Sequence, residues 1–356
     1  MSKAKGLPIE EVVVRPVRGD DAPAVLELAK TSGGGMTSLP ADLDALRARC
    51  ERAAACFVEG APETGEEIYL LVAEHAPSKT VVGTGGVIAH VGMETGFVTY
   101  RENRVVQTSD LIDRRIETRT FALSYDYTGL AEFLGLYVHR SHRGCGLGRL
   151  MLRATLMFVA THRERFPDRI VAEMRGWCDS AGRRPFWDAV CRRSFGMSYD
   201  EADTINAIHG NTFIAELMPR DPICIDLLPQ EAQDVIGRPH PEGEPAYHLL
   251  TGEGFLPDGH HDCFDGGPCL SSGVDKLASI MLSGRGTLSA PGAHKDATPH
   301  IVAMGQGDGY RALVARGVED GAGFVAAPNA MSLLGAAAGA AAIWRPHGAN
   351  EPRTGG

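Results

Sequence analysis

Several things are scarce in this chain, and each scarcity removes a class of function. Its 356 residues contain no apolar run long enough to span a bilayer, which takes about 18 residues or more. The start, Met1-Ser-Lys-Ala-Lys-Gly-Leu-Pro8, has no apolar core of the kind a signal peptide needs, so no secretory leader is expected. Basic residues are outnumbered, 35 against 45 acidic ones, for a net charge of −10. No basic face or tail stands out, so neither nucleic acid nor a membrane is an expected partner. The eight cysteines, at positions 50, 56, 145, 178, 191, 224, 263 and 269, include no C-x-x-C pair, so no zinc cage and no metal are expected. Scattered single cysteines read as buried thiols in a reducing compartment, which points to the cytoplasm. What is plentiful is core material, since 44% of residues are hydrophobic. The length suggests one large domain with a smaller one.

The densest signal is Leu136-Tyr-Val-His-Arg-Ser-His-Arg-Gly-Cys-Gly-Leu-Gly-Arg-Leu-Met151. An apolar strand runs into Arg143-Gly144-Cys145-Gly146-Leu147-Gly148, and an amphipathic helix follows. Alternate glycines let a backbone approach a ligand closely and present successive N–H groups. A helix starting there adds its free N–H groups and the positive end of its dipole. A Walker loop is excluded because no Gly-Lys-Ser/Thr follows Gly148, and a dinucleotide fingerprint is spaced differently. The R-G-x-G-x-G spacing resembles the acyl-CoA N-acyltransferases (the GNAT superfamily), in which this loop holds the pyrophosphate of coenzyme A. The plainer alternative is a glycine-rich strand-to-helix turn with no ligand.

Periodicity predicts strands over residues 9–17, 68–73, 81–91 and 132–138, with two further strands in 101–126. Helices are predicted over 20–30, with Asp20 or Asp21 as the cap, and over 42–56 and 147–161. Beyond the glycine loop, 170–176 reads as a strand, 185–195 as a helix and 211–217 as another strand, and two short helices lie within 229–255. A hairpin is expected at 300–316, inside a small β-rich module spanning 276–348. The rest of the chain, 9–275, is expected to form one domain, with 349–356 a disordered tail. The element order predicts an α/β (α+β), GNAT-like fold, a mixed twisted sheet flanked by helices.

Several collinear segments together resemble the arginine N-succinyltransferase family. They include Gly33-Gly-Gly-Met-Thr-Ser-Leu-Pro40, Val171-Ala-Glu-Met-Arg-Gly176, Pro185-Phe-Trp187 and Phe213-Ile-Ala-Glu-Leu-Met-Pro219. Gln230-Glu-Ala-Gln-Asp-Val-Ile-Gly237 with His240-Pro241, and Phe264-Asp-Gly-Gly-Pro268, complete the set. The resemblance covers about residues 12 to 280 and is weak beyond. It implies transfer of a succinyl group from succinyl-CoA to the α-amino group of L-arginine, and in some members ornithine, by an oligomer of identical or related subunits. Two other readings stay open: another amine acyltransferase using acetyl-CoA, and a non-catalytic acyl-CoA-binding regulator.

The resemblance implies that the strand before the glycine loop splays from its neighbour. The backbone of Leu136 and Val138 would then take the pantetheine arm, and Arg143, Gly144, Gly146 and Gly148 the pyrophosphate. It assigns proton transfer to His240. Imidazole chemistry suits that role, although a histidine between two prolines can equally well cap the next helix. Glu173 and Glu216 are candidates for holding a guanidinium, and Arg175 for a carboxylate; a cross-strand Glu–Arg pair is the structural alternative. Asp234 would orient His240 or cap a helix. Ser38 and Thr37 lie in the loop expected to close over the acceptor.

Overall fold

The computed structural model describes residues 7–32, 39–58, 60, 65–209, 212–289, 291–292, 294–321 and 323–348. The first half follows the predicted order: β1 (Val12–Pro16), α1 (Ala22–Thr31), α2 (Leu43–Cys56), β2 (Ile68–His75) and β3 (Thr80–Ile88). Then come β4 (Thr99–Ser109), β5 (Arg114–Ser124), β6 (Ala131–Val138) and α3 (Leu147–Thr161). Asp42 caps α2, its carboxylate accepting from the Ala45 N–H at 2.8 Å. Asp21 does not cap α1 through its side chain. Its carboxylate is taken by Arg15, with two N–O distances of 2.8 Å, because a buried guanidinium needs that partner more than a helix end does.

After α3 come β7 (Arg169–Glu173), a π-helical turn (Trp187–Cys191) running into α4 (Arg192–Phe195), α5 (Tyr199–His209), α6 (Thr212–Leu217) and β8 (Ile223–Cys224). The strand expected at 211–217 is therefore a helix from Thr212 onward. Ile214 and Met218, four residues apart, are its buried positions, and they pack with Phe195 and Phe264. Glu216, midway between them, is exposed, whereas a strand would place all three on one face. Next are α7 (Gln230–Gln233), α8 (Glu244–Glu253), β9 (Leu256–Asp262), β10 (Pro268–Gly273), α9 (Ala278–Met281) and β11 (Gly284–Leu288). The chain continues as β12 (Thr298–Met304), β13 (Arg311–Asp320), β14 (Gly323–Ala326), α10 (Pro328–Leu334) and β15 (Ala341–Pro346). The tail at 349–356 lies outside the described residues.

The described strands join in one continuous sheet, ordered β12-β15-β11-β14-β13-β1-β2-β3-β6-β7-β10-β9-β4-β5-β8. The hairpin β4–β5 is an excursion: β3 pairs directly with β6, and β4 pairs instead with β9. At the other end β12 pairs with both β15 and β13, so five strands close into a small barrel. Leu288, Val302, Leu313, Phe324 and Trp344 pack together as one face of these strands. The alternate residues Ile301, Ala303, Ala312, Val314 and Ile343 join α3 in the main core. The strands after residue 275 continue the same sheet. β13 is hydrogen-bonded to β1 through Val13↔Leu313 and Val14↔Ala312. Helix α3 is buried along nearly its whole length because sheet and barrel cover it from both sides.

Candidate active site

Strands β6 and β7 are parallel but share only two register pairs, Ala131↔Ile170 and Glu132↔Val171. Beyond Glu132, β6 stays paired with β3 as far as Gly83↔Val138, and β7 stays paired with β10 along its other edge. The segment Phe133–Val138 therefore has a free edge. Within it the β3–β6 register slips by one residue between Leu134 and Tyr137, where Gly135 adopts φ +66°. The Thr84 hydroxyl donates to the Gly135 carbonyl at 2.8 Å and holds that bulge. A bulge bends the strand and re-aims its backbone groups beside the opening.

The opening continues as a cavity of about 1150 Å³ that runs to the glycine loop. Leu136, Val138, Arg143, Gly144, Gly146 and Gly148 all line it, so the six residues proposed from sequence for the nucleotide end are brought together. Gly144 and Gly146 have φ of +84° and +91°, a region an L side chain rarely occupies. Gly146 is the N-cap of α3, and no side chain caps the first N–H groups of that helix. They are available to an anion. A Cβ at Gly148 would meet Leu249 Cδ1 at 3.4 Å, which records how closely α8 packs on the start of α3. The Arg143 Nε donates to the Val138 carbonyl at 3.2 Å, and its guanidinium lies over the Tyr137 ring, 5.3 Å from the centroid. The side chains of Leu136 and Val138 belong to the core, which leaves their backbone to face the cleft.

The opposite part of the cleft is acidic. Glu132, Glu173 and Asp262, from three strands, line one wall. Burial pushes the Glu132 carboxyl up to about 7, with the Arg49 guanidinium pulling the other way. Burial and the neighbouring Asp265 push Asp262 up to about 8. Burial, then Asp262 and Glu132, raise Glu173 well above the usual carboxylate range. Glu173 has no arginine partner among the described residues; its nearest polar contact is the Cys269 thiol at 3.9 Å, so the cross-strand Glu–Arg pair does not form.

Arg175 also lines the cleft, and the fold joins it to His240. The Arg175 Nη2 donates to His240 Nδ1 at 2.6 Å, and the His240 N–H donates to the Arg175 carbonyl at 2.8 Å. His240 also caps the short helical turn Pro241–Gly243, Nδ1 accepting from the Glu242 N–H at 3.1 Å. Burial, then Arg175 and Arg184, push the imidazole down to about 4, so the ring is neutral. Because both neighbours are donors, the ring hydrogen sits on Nε2. The side chain of His240 is not among the cleft-lining groups, whereas its neighbours Glu242 and Gly243 are.

Other predicted residues fall elsewhere. Glu216 is exposed on α6, away from the cleft lining, because the strand that was to carry it is a helix. The Asp234 carboxylate accepts from Gln230 Nε2 at 2.7 Å and makes no hydrogen bond to His240. Ser38 and Thr37 lie outside the described residues. His260 pairs with Asp258 and Asp126, at 3.0 and 3.3 Å, while Asp262 faces the cleft. Among the described residues no three or more His, Cys, Asp or Glu side chains are grouped to hold a metal, and no helix is long and apolar enough to cross a membrane. The sequence reading missed Glu132, Asp262 and Gly135. A single carboxylate in the apolar run Ala131–Val138 was the available signal for Glu132, and a glycine in mid-strand was the signal for the bulge.

Several known proteins are similar to this chain over most of its length. The family described as arginine N-succinyltransferase beta subunit matches residues 12–279. The beta subunit of arginine N-succinyltransferase from Pseudomonas aeruginosa is 38% identical over 291 residues, 82% of this chain and 85% of that protein. The alpha subunit from the same organism is 35% identical over 303 residues, 85% of this chain and 90% of that protein. The Escherichia coli K12 arginine N-succinyltransferase is 39% identical over 272 residues, 76% and 79% of the two chains. The solved structure of arginine/ornithine succinyltransferase subunit AI from P. aeruginosa superposes with a TM-score of 0.88 at 31% identity, covering 96% of this chain and 100% of that one.

Proposed function

The chain belongs to the arginine N-succinyltransferase family, and from that premise we propose that it transfers the succinyl group of succinyl-CoA to the α-amino group of L-arginine. The observation that carries this reading is the free edge of β6. It opens at Glu132 and leads without interruption to the uncapped start of α3. A thioester on a pantetheine arm needs such an edge for its amides and an anion site at its end.

In this reading Gly135–Val138 pair with the pantetheine amides, and Gly144, Gly146, Gly148 and Arg143 take the pyrophosphate. The acceptor enters from the acidic wall. Its guanidinium is compensated by Glu173 and Asp262, a planar cation matched to carboxylates. The attacking amine must lose a proton, and a carboxylate whose affinity for protons is raised to about 7, as at Glu132, can receive it near neutral pH. Attack forms the C–N bond and a tetrahedral oxyanion; collapse restores the carbonyl as an amide, breaks the C–S bond and releases the thiolate of CoA. His240, next to the lining residues Glu242 and Gly243, is neutral with hydrogen on Nε2, held in that tautomer by Arg175; in this reading its side chain reaches that oxygen or sulfur once the acyl chain is bound.

The two P. aeruginosa relatives named as alpha and beta subunits support assembly with a second copy or a related chain. All eight cysteines are free, which supports a reducing compartment such as the cytoplasm. The test is CoA release by the purified chain across succinyl-, acetyl- and butyryl-CoA with arginine, ornithine and lysine. Turnover greatest with succinyl-CoA and arginine or ornithine sustains the proposal. Turnover with acetyl-CoA alone, or none with any pair, overturns it.

A further inference from the structure

Arg49 is a cleft residue that the roles above leave unused, and its position follows from helix geometry. The buried stripe of α2 is Leu46, Cys50 and Ala53. Arg49 lies one turn from Leu46 and from Ala53, at the edge of that stripe, whereas Arg47, Glu51 and Arg52 stand exposed. Arg49 and Arg52 of this helix both line the cavity, but Arg52 is solvent-exposed and Arg49 is the more buried of the two. Its Nε is buried and has no hydrogen-bond acceptor among the described residues. The carboxylate that acts on it is Glu132, through space and without a contact ion pair. Arg143 and Arg175, the other inward guanidiniums discussed above, already spend a donor on a protein atom.

A buried donor without an acceptor is costly, and a guanidinium leaves its fork open only where something else fills it. The group that matches the fork is a carboxylate, bound by two parallel N–H···O bonds. The proposed reaction brings two carboxylates into this cleft: the far end of the succinyl chain and the α-carboxylate of the amino acid. We propose that Arg49 binds a substrate carboxylate and so sets specificity for a substrate that carries one. The inference rests on the acyl-transfer reading of the cleft.

The test compares two ratios of kcat/KM in wild type and Arg49→Gln. One is succinyl-CoA over butyryl-CoA with arginine as acceptor; the two acyl chains differ only in the terminal carboxylate. The other is arginine over agmatine with succinyl-CoA as donor; agmatine keeps the amine and the guanidinium and lacks the carboxylate. Each ratio is independent of the fraction of active protein. One ratio is expected to fall by about 10- to 100-fold in Arg49→Gln, the size of a charged hydrogen-bond pair, and the one that falls identifies whose carboxylate is held. Arg49→Lys, which keeps the charge opposite Glu132 but not the fork, is expected to lie between and serves as the variant if Arg49→Gln does not fold. An active wild type whose two ratios are unchanged in the variants overturns this inference alone. A wild type that releases CoA with none of the three pairs overturns the acyl-transfer reading and this inference with it.

Discussion

Replacing Gly146 by alanine separates the phosphate-loop account from a plain strand-to-helix turn. Gly146 has φ +91° and begins α3. A left-handed backbone costs an L residue about 1–2 kcal/mol. The new Cβ would also lie 3.2 Å from His347 Nε2 and 3.3 Å from Ile9 Cδ1, so both must give way. With that crowding the total comes to about 2–3 kcal/mol. Gly144 is the internal control: its φ is +84°, but nothing lies within 4 Å of its added Cβ. Only the backbone cost of about 1–2 kcal/mol applies there. The crowded variant relieves its strain by shifting the loop, and the loop is where the first N–H groups of α3 are aimed. Each 1.4 kcal/mol or so of aim lost weakens an anion tenfold. Urea unfolding and calorimetric titration with CoA measure the two effects separately. We expect Gly146→Ala to lose about 2 kcal/mol of stability and at least tenfold in CoA affinity, with Gly144→Ala affected less in both. A Gly146→Ala protein destabilised by that amount that binds CoA as tightly as wild type would refute the cradle.

The remaining predictions concern the acidic wall, His240 and the barrel. Glu132→Gln should remove the rise of kcat/KM for arginine through about pH 7, because that carboxyl must be ionised to accept a proton; a profile identical to wild type contradicts the role. The same raised carboxyl makes the native state hold a proton that the unfolded chain has released. Wild-type stability should therefore fall as pH rises from about 4.5 to about 7, and less so in Glu132→Gln, as read by urea midpoints across that range. His240→Ala should lower kcat by about 10²–10⁴-fold while CoA affinity is kept; an unchanged kcat removes His240 from the chemistry. Glu253, buried at the end of α8, accepts from Arg153 Nε at 2.7 Å, Arg345 Nη1 at 2.9 Å and the Ser279 hydroxyl at 2.6 Å. Glu253→Gln leaves two buried arginines undercompensated and should cost about 3–5 kcal/mol; a loss below about 1 kcal/mol would mean the network is dispensable.

Local signals carried the nucleotide end of the site and little of the acceptor end. Leu147–Thr161 could be read as α3 from its periodicity, and the Gly144, Gly146, Gly148 spacing marked its start, because both depend on neighbours in sequence. The stretch Phe213–Leu217 misled because Phe-Ile beside Leu looks like a strand, while the partners that make it a helix, Phe195 and Phe264, are distant in the chain. The barrel was visible only as a hairpin; its closure depends on β15 pairing with β12 across some forty residues. The acidic wall is non-local for the same reason. Glu132, Glu173 and Asp262 come from β6, β7 and β9, and only the sheet order brings them together. Arg49 looked like one more charge on a polar helix because nothing in its own turn shows that β6 opens opposite it.

The central claim is acyl transfer to the α-amine of arginine, and the product itself tests it. Arginine incubated with succinyl-CoA and the purified protein should yield free CoA and arginine carrying one succinyl group, placed by fragment-ion mass spectrometry on the α-nitrogen. Arginine recovered unmodified, or acylated on its guanidinium, would contradict the account.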